Sequence, residues 1–313
     1  MARALVFPGQ GSQAVGMGVA LAEASAAARE VFEEVDDAIS QPLFRLMKEG
    51  PEGDLVLTEN AQPALMAVSM AVMRVMEREG GFDLVRSARY VAGHSLGEYS
   101  ALAAAGSIGL SDTARLLKLR GQAMQRAVPI GQGAMAALLG LSLEDAAAVA
   151  EAAAQGEVCR AANDNAEGQV VVSGSSAAID RAVELAKEKG AKKAMRLQVS
   201  APFHCPLMQP AADEMAEALG NVTISAPKVP LVANVTASAV DDPERIRALL
   251  VQQVTSMVRW RESVLYMRDN GIEELAEIGS GKVLATMTRR IDRSVSARAV
   301  NTPDDIEAFL GTL

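Results

Sequence analysis

A serine between two glycines is the residue best suited to nucleophilic chemistry. Ser95 lies in the segment Gly93-His94-Ser95-Leu96-Gly97, directly after an apolar run that ends at Ala92. A Gly-x-Ser-x-Gly pattern between a strand and a helix is typical of a nucleophile elbow, a sharp turn that exposes the serine hydroxyl. The N-terminus of the following helix would offer free N–H groups to a developing oxyanion. There is a structural alternative, because Ser95 and Glu98 also fit a Ser-x-x-Glu capping box, in which the serine only caps the helix.

A serine nucleophile needs a general base, and the chain offers few candidates. Histidine has the pKa that best suits this task, and the sequence contains only His94 and His204. His94 is adjacent to Ser95, so the two side chains diverge across the turn. His204 lies between two prolines, which exclude regular structure there and predict a loop. By elimination the sequence predicts His204 as the base. No acidic residue between Ser95 and His204 lies in a recognisable motif, so the group that orients this histidine need not be a carboxylate.

An arginine falls on the apolar face of a helix predicted over residues 113–127. Arg120 shares that face with Leu116, Leu117 and Met124. A buried guanidinium is costly unless it is paired, and a carboxylate is its best partner. The sequence leaves two partners open: an internal Asp or Glu, or the carboxylate of a substrate.

Composition excludes several classes of function. The 313 residues are half hydrophobic but only 3% aromatic, which is typical of an alanine-rich α/β protein. No apolar run approaches the ~20 residues of a membrane span, and the net charge of −9 argues against binding nucleic acid. Cys159 and Cys205 fit neither a disulfide framework nor a metal site, so we expect no metal. No cofactor is expected either. The first residues are typical of a strand rather than a signal peptide, which predicts a cytoplasmic protein.

The elements that must position these residues alternate between strands and helices. A strand over residues 4–7 leads into a loop that carries Gln10, and a helix is predicted over residues 19–39. The loop glycines match no nucleotide-binding fingerprint. Residues 128–198 have the element order βαββαβ of a ferredoxin-like unit, with an Asn-Asp-Asn loop at 163–165.

We therefore predict an α/β fold made of two subdomains. An α/β-hydrolase-like core with a mainly parallel sheet would comprise residues 1–127 and 199–313. The ferredoxin-like subdomain, residues 128–198, would be inserted into it. His204 would then lie where the two subdomains meet, and clefts between subdomains are favoured places for active sites.

Taken together, these motifs resemble the malonyl-CoA:acyl carrier protein transacylases of fatty acid synthesis. The resemblance runs from end to end and rests on five separated segments in the same order, residues 7–13, 93–98, 119–121, 203–204 and 253–260. Two positions depart from the family pattern. Met257 stands where proline is common, and Cys205 stands where serine is common.

The resemblance implies a catalytic role for five residues. Ser95 would be the nucleophile and His204 the base, with a backbone carbonyl at Gln253 holding the histidine in place of an acid. The backbone N–H groups of Gln10 and Leu96 would form the oxyanion hole.

The resemblance also implies a substrate-binding set. Arg120 would bind the free carboxylate of a malonyl group, and His94 and Asn163 would line or support the site. Phe203 precedes the histidine, where relatives that accept malonyl usually carry phenylalanine; it favours malonyl over α-branched acyl groups.

The implied reaction is ping-pong transfer of malonyl from its coenzyme A thioester to the phosphopantetheine thiol of an acyl carrier protein, by a monomer. Docking of an acidic carrier on this acidic chain would need a local basic patch, with Lys192, Lys193, Arg196, Arg289 and Arg290 as candidates; ordinary solvated surface is the alternative. Three other functions stay open: a malonyltransferase of a polyketide pathway, an acyl-thioester hydrolase, and a non-catalytic carrier-binding subunit.

Overall fold

The computed structural model describes residues 1–313 and contains two β-sheets covered by helices. Ten strands form the sheets: β1 (Arg3–Phe7), β2 (Tyr90–Gly93), β3 (Gly133–Leu139), β4 (Cys159–Ala166), β5 (Gln169–Ser175), β6 (Lys193–Arg196), β7 (Leu231–Ala233), β8 (Ser238–Val240), β9 (Glu274–Ile278) and β10 (Ser296–Val300).

Fifteen α-helices pack around the strands: α1 (Val19–Ala24), α2 (Ala26–Ile39), α3 (Leu43–Glu49), α4 (Glu52–Leu55), α5 (Thr58–Arg78), α6 (Leu84–Ser87), α7 (Gly97–Ala104), α8 (Leu110–Ala127), α9 (Leu143–Ala154), α10 (Ser176–Glu188), α11 (Gln209–Gly220), α12 (Pro243–Gln253), α13 (Trp260–Asp269), α14 (Val283–Ile291) and α15 (Pro303–Leu310). A short 3-10 turn, Pro206–Met208, precedes α11. None of these helices is both long and apolar enough to cross a membrane.

The larger sheet has six strands in the order β10-β9-β1-β2-β7-β8. Every pair is parallel except β7 with β8, so the predicted mainly parallel α/β sheet is confirmed. All five residues of β1 are buried, as expected for a central parallel strand covered on both faces. The alanine- and methionine-rich helix α5 is buried along most of its length, because it is apolar on nearly every face.

The smaller sheet is antiparallel and has the strand order β4-β5-β3-β6. Helices α9 and α10 pack on it around a core of small side chains, including Ala146, Ala150 and Ala182. The element order along residues 133–196 is strand, helix, strand, strand, helix, strand, as the sequence predicts.

Two predicted elements differ from the structure. The helix expected over residues 19–39 is divided at Ser25, which is extended (φ −134°) and caps α2 by accepting a hydrogen bond from the N–H of Ala28 at 3.1 Å. The Asn-Asp-Asn segment is not a loop but part of β4. The backbone of Asp164 donates to Val258, and its carboxylate pairs with Arg261. These long-range contacts hold three polar residues in a bulged strand where local sequence favours a turn.

Candidate active site

Three polar residues follow three adjacent strands of the larger sheet. Gln10 lies beyond the carboxyl end of β1, Ser95 beyond that of β2, and Asn234 directly beyond that of β7. Because β1, β2 and β7 are parallel neighbours, these loops meet at one edge of the sheet. That edge is the usual ligand site of an open parallel sheet.

The turn at Ser95 is tight and strained. Ser95 has φ +53°, a left-handed conformation that costs a non-glycine residue ~1–3 kcal/mol. The flanking glycines make the turn possible. A Cβ on Gly93 would lie 1.9 Å from the backbone of Gly97, and a Cβ on Gly97 would lie 2.2 Å from the carbonyl oxygen of Phe7. Both glycines are therefore needed for strand β2, helix α7 and strand β1 to approach one another.

The capping-box interpretation of Ser95 is wrong. Helix α7 begins at Gly97, and Leu96 occupies its N-cap without a side-chain cap. The Ser95 hydroxyl points to His204 and Arg120 instead, and the Glu98 side chain bonds Gln253 and the backbone of Asn234. The left-handed backbone at Ser95 turns the hydroxyl away from the helix that it would otherwise cap.

Two buried amide side chains hold the strained turn. Asn234 accepts a hydrogen bond from the N–H of Ser95 at 2.8 Å and donates to the carbonyl of Gly93 at 2.6 Å. Gln253 donates to the carbonyl of Ser95 at 3.0 Å. Both backbone polar groups of Ser95 are thus bonded by side chains from other elements, which compensates for the strain at this residue.

Ser95 and His204 form a hydrogen-bonded pair. The Oγ of Ser95 lies 2.8 Å from Nε2 of His204, and Nδ1 of His204 lies 2.9 Å from the carbonyl oxygen of Gln253. That carbonyl can only accept, so Nδ1 carries the proton and Nε2 is free to accept one. Burial, assisted by the positive charge of Arg120, lowers the pKa of His204 to about 3. The imidazole is therefore neutral near pH 7 and able to take the serine proton.

Arg120 is buried in contact with this pair and has no carboxylate partner. Its Nη2 donates to Ser95 Oγ at 3.1 Å and to Oε1 of Gln253 at 2.7 Å, and its Nη1 donates to Oε1 of Gln62 at 2.7 Å. The side chain is 1% exposed, forms no salt bridge, and lies over the ring of Tyr99 at 5.6 Å. Of the two partners that the sequence left open, no internal Asp or Glu touches the guanidinium.

A chain of side-chain hydrogen bonds joins Arg120 to the loop after β1. Gln62 accepts from Arg120 and donates to the hydroxyl of Thr58 at 2.9 Å. Thr58 in turn donates to Oε1 of Gln10 at 2.9 Å. Each amide is fixed in orientation, because the guanidinium at one end of the chain can only donate.

Two backbone N–H groups face the same region without partners. Neither Gln10 nor Leu96 donates its N–H to any acceptor within the chain. Leu96 directly follows Ser95 and is 1% exposed. Unpaired N–H groups next to a serine hydroxyl are suited to hold a developing oxyanion.

These residues line a cavity of about 480 Å³. Its wall includes side chains from both sheets and from α14, among them Gln10, Ser95, Arg120, Phe203, His204, Asn163, Met135, Val171, Leu284 and Met287. His94 also borders it, and its Nε2 lies 2.9 Å from Oδ1 of Asn165 while its ring packs beside Trp260. Eight of the nine residues that the sequence singled out line this cavity, and the ninth, Gln253, contacts Ser95, Arg120 and His204. No group of three or more His, Cys, Asp or Glu side chains is arranged to hold a metal ion.

Sequence reasoning missed four residues of the site, namely Gln62, Glu98, Asn165 and Asn234. Asn234 directly follows a strand at the carboxyl edge of the sheet, so strand order would have found it. Gln62 lies in a polar turn at the start of the otherwise apolar helix α5 and is 1% exposed. Glu98 was considered only as a helix cap. Asn165 was assigned to a loop.

The chain is similar along nearly its whole length to known proteins. A family model described as the acyl transferase domain matches residues 4–303. The chain is 45% identical over 307 residues to a protein of Escherichia coli K12 named malonyl CoA-acyl carrier protein transacylase, covering 98% of each chain. It is 41% identical to the protein of the same name from Bacillus subtilis 168, covering 99% of this chain and 96% of that one.

Solved structures agree over the same length. An acyl-carrier-protein S-malonyltransferase from Bartonella henselae superimposes with a TM-score of 0.98 at 56% identity, covering 100% of this chain and 99% of the other. A malonyl-transacylase solved in complex with its type II PKS acyl-carrier protein superimposes with a TM-score of 0.96 at 42% identity, covering 100% of both chains.

Proposed function

The chain belongs to the acyl transferase family, and on that basis we propose that it transfers a malonyl group from malonyl-CoA to the phosphopantetheine thiol of an acyl carrier protein. The observation that carries the proposal is the buried Arg120, which has no carboxylate partner and lies 3.1 Å from Ser95 Oγ. A site with a nucleophile and an unneutralised guanidinium favours an acyl group that ends in a carboxylate.

In the first half-reaction, Ser95 becomes acylated. Nε2 of His204 takes the hydroxyl proton of Ser95, and Oγ attacks the thioester carbon of malonyl-CoA. The backbone N–H groups of Gln10 and Leu96 hold the oxyanion, and Arg120 binds the malonyl carboxylate. The carbon–sulfur bond then breaks, and the departing coenzyme A sulfur receives the proton from His204.

In the second half-reaction, the carrier takes the acyl group. The phosphopantetheine thiol gives its proton to Nε2 of His204, and its sulfur attacks the ester carbon of malonyl-Ser95. The bond between that carbon and Oγ breaks, and the proton returns from His204 to Ser95. The carbonyl of Gln253, 2.9 Å from Nδ1, supports the histidine in both steps, and no acidic side chain is required.

Four further residues shape the acyl site in this proposal. His94 and Asn163 line the cavity, and the pair of His94 with Asn165 stabilises its wall. Phe203 is 9% exposed and stands at the cavity wall beside His204, where its ring favours malonyl over α-branched groups. No cofactor is needed, because the thioester itself supplies the free energy of transfer.

We propose that the fold divides into an α/β-hydrolase-like core, residues 1–127 and 199–313, and a ferredoxin-like subdomain, residues 128–198. Support comes from the separate hydrophobic core of the smaller sheet and from its βαββαβ order. The site then lies in the cleft between the two, since its wall draws on both sheets.

The carrier would dock on a basic patch formed by Lys192, Lys193, Arg289 and Arg290. All four are exposed and free of salt bridges, and Nη1 of Arg290 reaches Oε1 of Gln169 at the edge of the smaller sheet. Helix α14 carries Arg289 and Arg290 of this patch together with the cavity-lining residues Leu284 and Met287, which supports a position of the patch near the entrance. Arg196 is left out, because it pairs with Asp180 at 2.7 Å.

We assign the chain to fatty acid biosynthesis in the cytoplasm, acting as a monomer; the two buried free cysteines are compatible with a reducing compartment. A polyketide pathway is the second candidate, because a transacylase solved with a type II PKS carrier superimposes at a TM-score of 0.96.

Intact-mass spectrometry tests the proposed function. Incubation with malonyl-CoA should add one malonyl group to the protein, and a phosphopantetheinylated carrier should then remove it and gain the same mass. Ser95→Ala should take up no malonyl group. Acylation of that variant would contradict the assignment of the nucleophile. If the wild-type protein released free malonate without carrier as fast as it transfers malonyl to the carrier, it would be a hydrolase.

A further inference from the structure

Glu98 is a buried acidic residue that the reaction above does not use. It is 1% exposed and forms no salt bridge. Its Oε2 accepts a hydrogen bond from Nε2 of Gln253 at 2.5 Å and a long one from the backbone N–H of Asn234 at 3.4 Å. A buried carboxylate without a cationic contact is costly, so its position needs an explanation.

The Gln253 amide connects this carboxylate to the guanidinium. Its Oε1 accepts from Nη2 of Arg120 at 2.7 Å, while its Nε2 donates to Glu98. The acidic partner that Arg120 lacks in direct contact is thus present one amide away. An intervening amide lets the two charges offset each other, while the guanidinium is not covered by a carboxylate.

The same contact fixes which way the Gln253 amide points. Arg120 can only donate, so Oε1 of Gln253 must face the guanidinium and Nε2 faces Oε2 of Glu98. Burial raises the pKa of Glu98 to about 7, against the opposing effects of the hydrogen bond from Gln253 and the charge of Arg120, so the carboxyl group is mostly ionised only above that pH. That orientation also directs Nε2 to the carbonyl of Ser95 at 3.0 Å. The carbonyl of Ser95 also accepts a hydrogen bond from the backbone N–H of Glu98 at 3.0 Å, so residues 98 and 253 hold this group together.

We infer that Glu98 is a positioning residue of the acyl-transfer site, which holds Arg120 and the Ser95 turn in place through the side chain of Gln253. It is not the acid of a catalytic triad, because Nδ1 of His204 bonds the carbonyl of Gln253. The inference rests on the proposed function, since its effects are defined by malonyl transfer.

The substitution Glu98→Gln separates this role from simple stabilisation. Glutamine has nearly the same shape and its side-chain oxygen can still accept from Gln253, so the substitution removes the charge and keeps the contact. Measured above pH 7, where Glu98 is ionised, the single-turnover rate of Ser95 acylation should fall roughly tenfold for malonyl-CoA, because the acceptor of the Gln253 hydrogen bond loses its charge. Acetyl-CoA has no carboxylate for Arg120, so its rate should fall less, and the malonyl-to-acetyl ratio should drop.

Asn234→Ala tests the other half of the arrangement. Asn234 bonds the backbone of Ser95 and Gly93 and accepts a long hydrogen bond from Nε2 of Gln253 at 3.4 Å, but it does not touch Arg120. Its loss should slow acylation by malonyl-CoA and acetyl-CoA by the same factor, with the ratio unchanged. If Glu98→Gln does not fold, Glu98→Asp, which withdraws the carboxylate from Gln253 by one methylene, should lower the malonyl-to-acetyl ratio in the same direction, and an unchanged ratio in that variant would overturn the inference.

The matched control is Glu274→Gln, another buried glutamate at 1% exposure. Glu274 pairs with Arg3 and Arg298 at the opposite end of strand β9 from the cavity. This change should lower the melting temperature without altering the acylation rate of the folded protein. The inference would be overturned if folded Glu98→Gln kept the wild-type acylation rate and malonyl-to-acetyl ratio, or if its rates with malonyl-CoA and acetyl-CoA fell by the same factor. Failure of the wild type to take up malonyl would instead refute the proposed function.

Discussion

A neutral acceptor holds Arg120 where an acidic one would neutralise it. Glutamine and glutamate side chains have nearly the same size, and Oε1 of Gln62 lies 2.7 Å from Nη1 of Arg120. The substitution Gln62→Glu would therefore place a carboxylate directly on the guanidinium, at a site that is 1% exposed. The new ion pair would compete with the malonyl carboxylate for the same cation.

The expected loss of activity with malonyl-CoA follows from the attraction between the new carboxylate and the Arg120 guanidinium. Two unit charges about 4 Å apart attract by about 4 kcal/mol at an effective dielectric constant of about 20. That value corresponds to about a thousandfold in an equilibrium constant. Part of it is cancelled because the new carboxylate must itself be desolvated. We therefore expect kcat/KM for malonyl-CoA to fall about a hundredfold, and kcat/KM for acetyl-CoA to change little.

The rate of acyl-enzyme formation is measured by intact-mass spectrometry, with malonyl-CoA and acetyl-CoA in separate reactions. Gln13→Glu is the matched control, because Gln13 lines the same cavity and its side-chain oxygen accepts from the N–H of Gly11 at 2.7 Å, a contact that glutamate can keep. It adds the same charge to the cavity without reaching Arg120. If Gln62→Glu retains the malonyl preference, or if both control and test variants lose it equally, the reasoning about Arg120 is wrong.

Three other outcomes are expected. Arg120→Ala should lower kcat/KM for malonyl-CoA by roughly a hundredfold or more, as for removal of one partner of a buried ion pair; equal losses with acetyl-CoA would contradict its role as the carboxylate anchor. Lys192→Ala combined with Lys193→Ala should raise the KM for the carrier and weaken its salt dependence, whereas an unchanged KM would remove these lysines from the docking surface. Because the pKa of His204 is lowered to about 3 in the folded protein, only the unfolded chain binds a proton there between pH 6.5 and 3. The free energy of unfolding should therefore decrease as the pH falls, and at pH 5 the decrease should be about 2 kcal/mol larger for the wild type than for His204→Asn. Urea unfolding of both proteins measures this difference. Parallel pH profiles would show that the histidine is not buried in its neutral form.

The catalytic residues were predictable because their types are rare and their patterns are local. Only two histidines compete for the role of base, and Ser95 lies in a glycine pattern that only a tight turn requires. Arg120 was recognisable from helical periodicity, since a charge on an apolar face is unusual. The strand and helix order along residues 133–196 follows from the same kind of local periodicity.

Other features depended on contacts between distant parts of the chain. The segment Asn163-Asp164-Asn165 has turn-forming residues, yet pairing with Val258 and Arg261 makes it a strand. Ser95 fits a capping box by spacing, yet its φ of +53° directs the hydroxyl to His204. In both cases a long-range hydrogen bond outweighs a local preference of about 1 kcal/mol.

Residue types and patterns predicted the chemistry: a serine, a histidine and an arginine suited to the transfer of an anionic acyl group. The surroundings of these three residues became known from the three-dimensional arrangement. It showed that Arg120 has no direct carboxylate partner, that Gln62 and Gln253 provide neutral acceptors instead, and that Glu98 lies one amide away. The reason is physical: residue types and spacing fix which groups are present and which face of an element they occupy. Whether a buried charge is neutralised depends on distances of a few ångströms between elements that are far apart in the chain.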